Sequence, residues 1–118
     1  MGQQRTIIKG GYVVGRGAED ILIVDGRIAE RGENVVAEAG DKIISAEGLM
    51  VAPAFVDVHV HLREPGFGYK ERIATGSMAA ARGGYSTVCS MPNLNPVPDS
   101  VENLKVQQDI IDRDAKIE

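Results

Sequence analysis

Residues 55–61 read Phe-Val-Asp-Val-His-Val-His, and this stretch decides the fold. Polar side chains occupy every second position, which is typical of a β-strand because side chains two residues apart point to the same side. The imidazoles of His59 and His61, the only two histidines of the chain, are therefore expected to project together with Asp57 near the end of the strand. The valines between them form an apolar face, which we expect to be uncovered in the isolated chain.

A pattern of alternating strands and helices continues from this stretch. A helix is predicted over residues 69–82, ending at a Gly-Gly pair, and a strand follows over residues 85–91. After a loop rich in proline and asparagine, Asp99 is predicted to cap a second helix. Strand, helix, strand and helix in this order predict a βαβα unit with parallel strands.

The region before Pro53 has a different character and reads as short strands separated by glycine-containing turns. We predict a turn at Gly10-Gly11 and a hairpin turn at Asp25-Gly26, because Asp-Gly between apolar runs suits two positions of positive φ. Two further strands are predicted around Glu47-Gly48. The chain is therefore divided into a β region, residues 1–52, and an α/β region, residues 53–118.

The length of the chain bounds the architecture. Residues 115–118 predict the start of another strand, and two parallel strands alone leave their edges and faces unsatisfied. A closed (β/α)₈ barrel takes about 250 residues, whereas the chain has 118. We therefore expect the chain to be the N-terminal part of a longer protein, with a short, complete α+β domain as the alternative.

Composition excludes several classes of partner. The net charge is −4 and the isoelectric point about 5.2, so no nucleic-acid or anionic-membrane partner is expected. Cys89 is the single cysteine, which excludes an internal disulfide framework, suits a reducing compartment and predicts a buried, inert thiol. No signal peptide and no apolar run long enough for a bilayer are recognisable, so a cytoplasmic location is expected.

The histidine pair is a candidate metal centre. Two neutral imidazoles that converge on one point suit zinc, and Asp57 is a candidate to support an imidazole from behind. Surface histidines are the alternative, but catalytic groups of barrels lie at the C-terminal ends of strands. A catalytic zinc site needs three protein ligands, so the others are expected from outside this chain or from another chain.

Two further side chains follow the ends of the strands. Arg63 lies two residues beyond His61 and is expected to reach the same site, where a guanidinium can bind a carboxylate through two parallel hydrogen bonds. Asn93 has the analogous position after the next strand, and its amide can donate to the same carboxylate. The alternatives are a solvated loop arginine and a turn-forming asparagine.

Three segments together carry a family resemblance: Asp-Val-His-Val-His-Leu-Arg-Glu-Pro-Gly at 57–66, Ala-Ala-Ala-Arg-Gly-Gly at 79–84 and Met-Pro-Asn-Leu-Asn-Pro at 91–96. The chain resembles class I (bacterial) dihydroorotases of the amidohydrolase superfamily. The resemblance implies an α/β fold, a metal-bearing (β/α)₈ TIM-type barrel with a small β-sandwich domain. The chain would then contain the first two βα units of the barrel, preceded by strands of the β domain.

The resemblance also implies a reaction, the zinc-dependent, reversible cyclisation of N-carbamoyl-L-aspartate to L-dihydroorotate in pyrimidine biosynthesis. By that likeness His59 and His61 bind one or two zinc ions, and Arg63 and Asn93 bind the substrate carboxylate. The remaining ligands and an aspartate acting as general acid and base are expected beyond Glu118. The isolated 118-residue chain is accordingly expected to be inactive.

Related functions stay open. One is a non-catalytic, dihydroorotase-like partner of aspartate transcarbamoylase, although such chains typically lack the metal-binding histidines that are retained here. Another is a sister cyclic amidohydrolase such as allantoinase or hydantoinase. A homo-oligomer is expected, and association with aspartate transcarbamoylase is left open.

Overall fold

The computed structural model describes residues 4–118. The elements are β1 (Arg5–Val13), β2 (Gly17–Val24), β3 (Arg27–Gly32), β4 (Lys42–Ser45), β5 (Met50–Val51), β6 (Phe55–Val60), α1 (Ile73–Arg82), β7 (Tyr85–Ser90) and α2 (Val101–Asp114). They group into two compact units, the first ending at Pro53 and the second beginning at Ala54. Between residues 4 and 118, no helix has the length and apolarity that crossing a bilayer requires.

The first unit is a five-stranded sheet. Strands β3, β2, β1 and β4 lie side by side in that order, with antiparallel pairing except between β1 and β4; β5 also pairs with β1, in parallel. The hairpin turn at Asp25-Gly26 is confirmed, since the two residues have φ values of 48° and 78°. The turn predicted at Gly10-Gly11 is wrong, because β1 continues through it and absorbs the irregularity as a bulge next to β2.

A small apolar core lies on this sheet. Ile7 of β1 and Leu22 of β2 are direct cross-strand partners, and both are buried against Val35 from the segment after β3. These three side chains are at most 6 % exposed. The contact attaches the irregular segment between β3 and β4 to the sheet.

Asp20 is a buried carboxylate in the same unit, only 5 % exposed. Its oxygens accept hydrogen bonds from the backbone N–H groups of Gly10 at 2.9 Å and Val35 at 3.2 Å, and the Lys9 ammonium lies 3.4 Å away. The Gly10 hydrogen bond, assisted by Lys9 and Val35, lowers the pKa of Asp20 although burial opposes this. The carboxylate therefore accepts one backbone N–H from the bulge of β1 and one from the segment that covers the core.

Replacing Asp20 with asparagine is expected to lower the free energy of unfolding by about 1–3 kcal/mol at neutral pH. The amide NH₂ group would face a backbone donor, and Lys9 would lose its counter-charge. Because folding lowers the carboxyl pKa, the stabilisation is complete above the unfolded pKa of about 4 and is lost as the pH falls through the folded value. Melting temperatures measured across this range should converge in acid.

The control for this substitution is Asp25→Asn. Asp25 is exposed and has a φ of 48°, which asparagine tolerates, so this variant should melt close to the wild type. Equal shifts for the two variants, or an Asp20→Asn deficit that does not shrink in acid, would contradict the role assigned to the buried carboxylate.

The second unit alternates strands and helices in the order β6, α1, β7 and α2, and β6 pairs with β7 in parallel. The predicted βαβα pattern is confirmed. Helix α1 begins at Ile73 rather than at Tyr69, because residues 68–70 form a turn in which the Lys70 N–H bonds to the Phe67 carbonyl at 2.9 Å.

Helix α2 begins one residue later than predicted. Its cap is Ser100, whose hydroxyl oxygen accepts a hydrogen bond from the Asn103 N–H at 3.2 Å. Asp99, the predicted cap, instead accepts from the Asn103 side-chain amide at 2.9 Å. Asn103 thus donates to both residues: its backbone N–H goes to the Ser100 hydroxyl and its side-chain amide to the Asp99 carboxylate.

Residues 115–118 lie beside β7. They carry no assigned strand, but the Glu118 N–H donates to the Ser86 carbonyl at 3.0 Å and the Glu118 carbonyl accepts from the Val88 N–H at 2.7 Å. One residue bonding to two residues that flank its partner is the pattern of a parallel ladder. Where the start of a strand was predicted, the structure thus has two backbone hydrogen bonds between Glu118 and β7, without a full strand.

Residues 4–118 leave much of the two-stranded sheet open. Val56 and Val58 of β6 are 57 % and 71 % exposed, as expected for an uncovered apolar face. Cys89 of β7 is also exposed, so the prediction of a buried thiol is wrong. The strand position was predicted correctly, but nothing within the described residues covers that side chain.

Candidate metal centre

Two imidazoles lie side by side where β6 ends. His59 belongs to the strand and His61 follows its last residue, Val60. Their ring centroids are 5.3 Å apart and their planes meet at 72°. Both side chains are exposed. The two rings therefore lie next to each other, in keeping with the alternation of the strand.

The end of β7 contributes Asn93 to the same place. The Met91 N–H donates to the Val60 carbonyl at 2.8 Å, which holds the two strand ends together. The amide oxygen Oδ1 of Asn93 lies 3.0 Å from Nδ1 of His61. This contact orients the His61 ring, and Nε2 is the ring nitrogen that does not contact Asn93.

Asp57 acts on the backbone of the strand. Its Oδ1 accepts a hydrogen bond from the His59 N–H at 2.9 Å, which is the reach of a short side chain to the backbone two residues on. The carboxylate is half-buried. Within residues 4–118 its hydrogen bond is to this backbone group and not to an imidazole, so support of an imidazole by Asp57 stays a prediction.

Arg63 lies in the loop that follows His61. Its carbonyl accepts a hydrogen bond from the Phe67 N–H at 2.9 Å, which closes a turn. Its side chain is half-buried, and its guanidinium makes no hydrogen bond or ion pair with other residues between 4 and 118. The arrangement thus presents a positive charge without a counter-charge close to the histidine pair in sequence.

The donor set at this strand end fits a divalent cation such as zinc, since two imidazoles are adjacent and one of them is oriented by a neighbouring amide. No group of three or more His, Cys, Asp or Glu side chains within the described residues could hold a metal ion. A catalytic zinc site uses three protein ligands, and His59 and His61 would supply two of them.

Sequence reasoning overlooked Glu64. Its Oε2 accepts a hydrogen bond from the Ile73 N–H, the first of α1, at 2.9 Å, and its Oε1 lies 3.3 Å from Nε of Arg72. The available signal was Arg72, the N-cap residue. Its side chain offers no acceptor for the first N–H groups of α1, so an acceptor from elsewhere in the chain is required.

Comparisons with known proteins show the family of the chain. A family model described as dihydro-orotase-like matches residues 48–118. The chain is 46 % identical over 117 residues to a dihydroorotase of Enterococcus faecalis, covering 96 % of the chain and 27 % of the relative. It is 51 % identical over 115 residues to a dihydroorotase of Staphylococcus aureus, covering 94 % of the chain and 27 % of the relative.

Solved structures of hydantoinases are similar in fold to the chain. An L-hydantoinase (dihydropyrimidinase) from Arthrobacter aurescens superposes with a TM-score of 0.86 at 28 % identity, covering 96 % of the chain and 26 % of that protein. A D-hydantoinase gives 0.81 at 31 % identity, covering 98 % and 26 %. The chain thus spans about a quarter of the length of its relatives, 27 % for both dihydroorotases. It belongs to the dihydro-orotase-like family of the amidohydrolase superfamily.

Proposed function

We propose that this chain is part of a dihydroorotase, which interconverts N-carbamoyl-L-aspartate and L-dihydroorotate in pyrimidine biosynthesis. The observation that carries the proposal is the contact between His61 and Asn93, which joins a metal-ligand type of side chain to a carboxylate-binding type across two parallel strands. The identity of about half to two dihydroorotases supports the choice of substrate.

The proposed architecture follows the family. Residues 53–118 would form the first two βα units of a (β/α)₈ barrel, and residues 1–52 would contribute strands to a small β-sandwich domain. The likeness to hydantoinase structures supports this arrangement. The further metal ligands and the aspartate general acid and base would come from the part of the protein that matches the remaining three quarters of the relatives.

The chemistry is that of cyclic amide hydrolysis and its reversal. Zinc bound by His59, His61 and further ligands would supply hydroxide at neutral pH and polarise the reacting carbonyl. Arg63 would bind the α-carboxylate of the substrate through two parallel hydrogen bonds and orient the ring. Asn93 would hold His61 with its oxygen and donate to the same carboxylate with its nitrogen. Arg63 remains protonated and does not serve as the base.

The wider properties belong to the same proposal. The enzyme would be a cytoplasmic homo-oligomer with one or two zinc ions per active site. Retention of both His59 and His61 argues against a non-catalytic partner of aspartate transcarbamoylase. Association of an active enzyme with that transcarbamoylase would be tested by co-purification.

Arg63→Ala in the natural protein that carries this sequence is expected to raise KM for N-carbamoyl-L-aspartate by about 10- to 100-fold, since a charge-assisted pair contributes about 1.5–3 kcal/mol. Arg63→Lys keeps the charge but not the two-pronged geometry, so it should recover only part of the loss. Steady-state kinetics in the cyclisation and hydrolysis directions provide the measurement.

The likeness to hydantoinases favours a second candidate, a hydrolase of cyclic amides without a carboxylate. Hydantoin and dihydrouracil lack the group that Arg63 would bind, so their turnover should not respond to Arg63→Ala. Wild-type protein that turns over hydantoin but not dihydroorotate would establish this second candidate. An unchanged KM for carbamoyl-aspartate in Arg63→Ala would remove Arg63 from the site.

A further inference from the structure

The loop between β6 and α1 is anchored on both sides of Arg63. On one side Leu62 is 5 % exposed and lies so close to Gly76 of α1 that a Cβ there would collide with it. On the other side the carboxylate of Glu64 reaches the first N–H of α1, at Ile73. The backbone of Arg63 is thus held between two attachments to the same helix.

The first N–H of helix α1, at Ile73, is capped by Glu64, while the N–H of the preceding Arg72 bonds to Glu71 at 2.9 Å. The N-cap residue of α1, Arg72, offers no side-chain acceptor, and the first turn of the helix contains no acidic residue. Helix α2 is capped locally, by Ser100. Because Glu64 lies nine residues before Ile73, the same hydrogen bond that caps α1 also fixes the loop.

The Glu64 side chain is held in one position by its burial and its hydrogen bond to Ile73. Its side chain is only 14 % exposed, while that of its ion-pair partner Arg72 is 63 % exposed. Gly68 passes so closely that a Cβ there would be 3.1 Å from Oε1 of Glu64. The burial and the hydrogen bond to Ile73 therefore restrict Glu64 more than the exposed ion pair does.

We propose that Glu64 is a positioning residue for the substrate carboxylate: by capping α1 it fixes the backbone on which Arg63 is mounted. Arg63 has a free guanidinium within residues 4–118 and a backbone held by Leu62, by Glu64 and by its own turn to Phe67. This inference rests on the proposed function, because it takes Arg63 to bind the carboxylate.

Glu64→Ala in the natural protein is expected to raise KM for N-carbamoyl-L-aspartate by about 5- to 30-fold with a smaller change in kcat, since a displaced Arg63 loses part of a charge-assisted pair. Zinc content should stay at the wild-type level. Glu64→Gln keeps an acceptor for the Ile73 N–H and should restore most of the KM. Glu64→Asp is too short to span the same distance and should resemble the alanine variant; it carries the test if Glu64→Ala does not fold.

A double-mutant cycle separates positioning from general stability. If Glu64 acts through Arg63, adding Glu64→Ala to Arg63→Ala should lower kcat/KM by less than twofold further, because the group being positioned is absent. Ser100→Ala removes the comparable cap of α2 and should lower the melting temperature without changing KM. Equal, multiplicative losses in the cycle, or an unchanged KM in both Glu64→Ala and Glu64→Asp, would overturn the inference.

The failure of this inference can be told from the failure of the proposed function. Wild-type protein without turnover of carbamoyl-aspartate or dihydroorotate overturns both. Active wild-type protein whose Glu64 variants keep their KM overturns only the positioning role, and Arg63 then remains assigned to the carboxylate by its own variants.

Discussion

His61→Ala in the natural protein is expected to lower kcat/KM for dihydroorotate by about 10³-fold, the equivalent of the several kcal/mol that a bound metal contributes to charge stabilisation. The variant should also bind less zinc than the wild type. His59→Ala should behave alike, because the two rings lie 5.3 Å apart and would share the ion. Kinetics and metal content, measured on the same preparations, provide the test.

Asn93→Ala should give a graded result between these variants and the wild type. Its amide oxygen holds Nδ1 of His61 at 3.0 Å, and loss of such a partner costs about 10- to 100-fold in metal affinity or activity. Titration with a zinc chelator should therefore strip Asn93→Ala at a lower chelator concentration than the wild type. Zinc retention should therefore increase in the order His61→Ala, Asn93→Ala, wild type, if the contact between Asn93 and His61 supports the metal site.

Val58→Ala is the matched control for β6. Val58 adjoins His59 in the same strand but carries no donor atom, so its replacement can change stability without changing zinc stoichiometry. If Val58→Ala loses zinc as His61→Ala does, the loss reports disruption of the strand. If His61→Ala retains full zinc content and turnover, His61 is not a ligand.

Local signals predicted the parts of the fold that local forces determine. The alternation over residues 55–61 predicted β6 and the proximity of the His59 and His61 rings, and Asp25-Gly26 predicted its own turn. The turn predicted at Gly10-Gly11 was wrong because the competing bulge is stabilised from elsewhere: the Asp20 carboxylate accepts the Gly10 N–H. A partner ten residues away in the chain is invisible to a reading of neighbouring residues.

The candidate site shows the same division. The expectation that Asn93 lies at the same edge as the residues after β6 followed from a topological rule, since the ends of adjacent parallel strands lie at one edge of the sheet. Its contact with His61 was not predicted. The start of α1 and the importance of Glu64 could not be predicted in this way. Both depend on a hydrogen bond between the loop and Ile73, which forms only when the loop folds back onto the helix.

Gly66→Ala is expected to destabilise the natural protein by about 3 kcal/mol, combining a left-handed backbone with an overpacked contact. Gly66 has a φ of 95°, which disfavours any side chain. A Cβ there would also lie 2.5 Å from the carbonyl oxygen of Asn95 and 2.6 Å from its Cβ. The loop after β6 and the loop after β7 approach too closely at this point for any residue but glycine.

Gly84→Ala isolates the cost of the left-handed backbone. Gly84 has a φ of 84°, but a Cβ there would meet only Phe55, at 3.7 Å, which is ordinary van der Waals contact. The alanine at 84 should therefore cost about 1–2 kcal/mol, from the backbone alone. Melting temperatures of the two variants should rank Gly66→Ala clearly below Gly84→Ala, and equal values would show that the two loops separate without cost.

Gly66→Ala should also weaken zinc binding. Asn95 donates its N–H to the Pro65 carbonyl at 3.2 Å, so an alanine at 66 that displaces Asn95 also disturbs the loop that carries Asn93. Folded Gly66→Ala protein should thus lose zinc more readily than Gly84→Ala protein at the same chelator concentration. This result would show that the close approach of the two loops, and not the histidine pair alone, holds the metal-binding geometry.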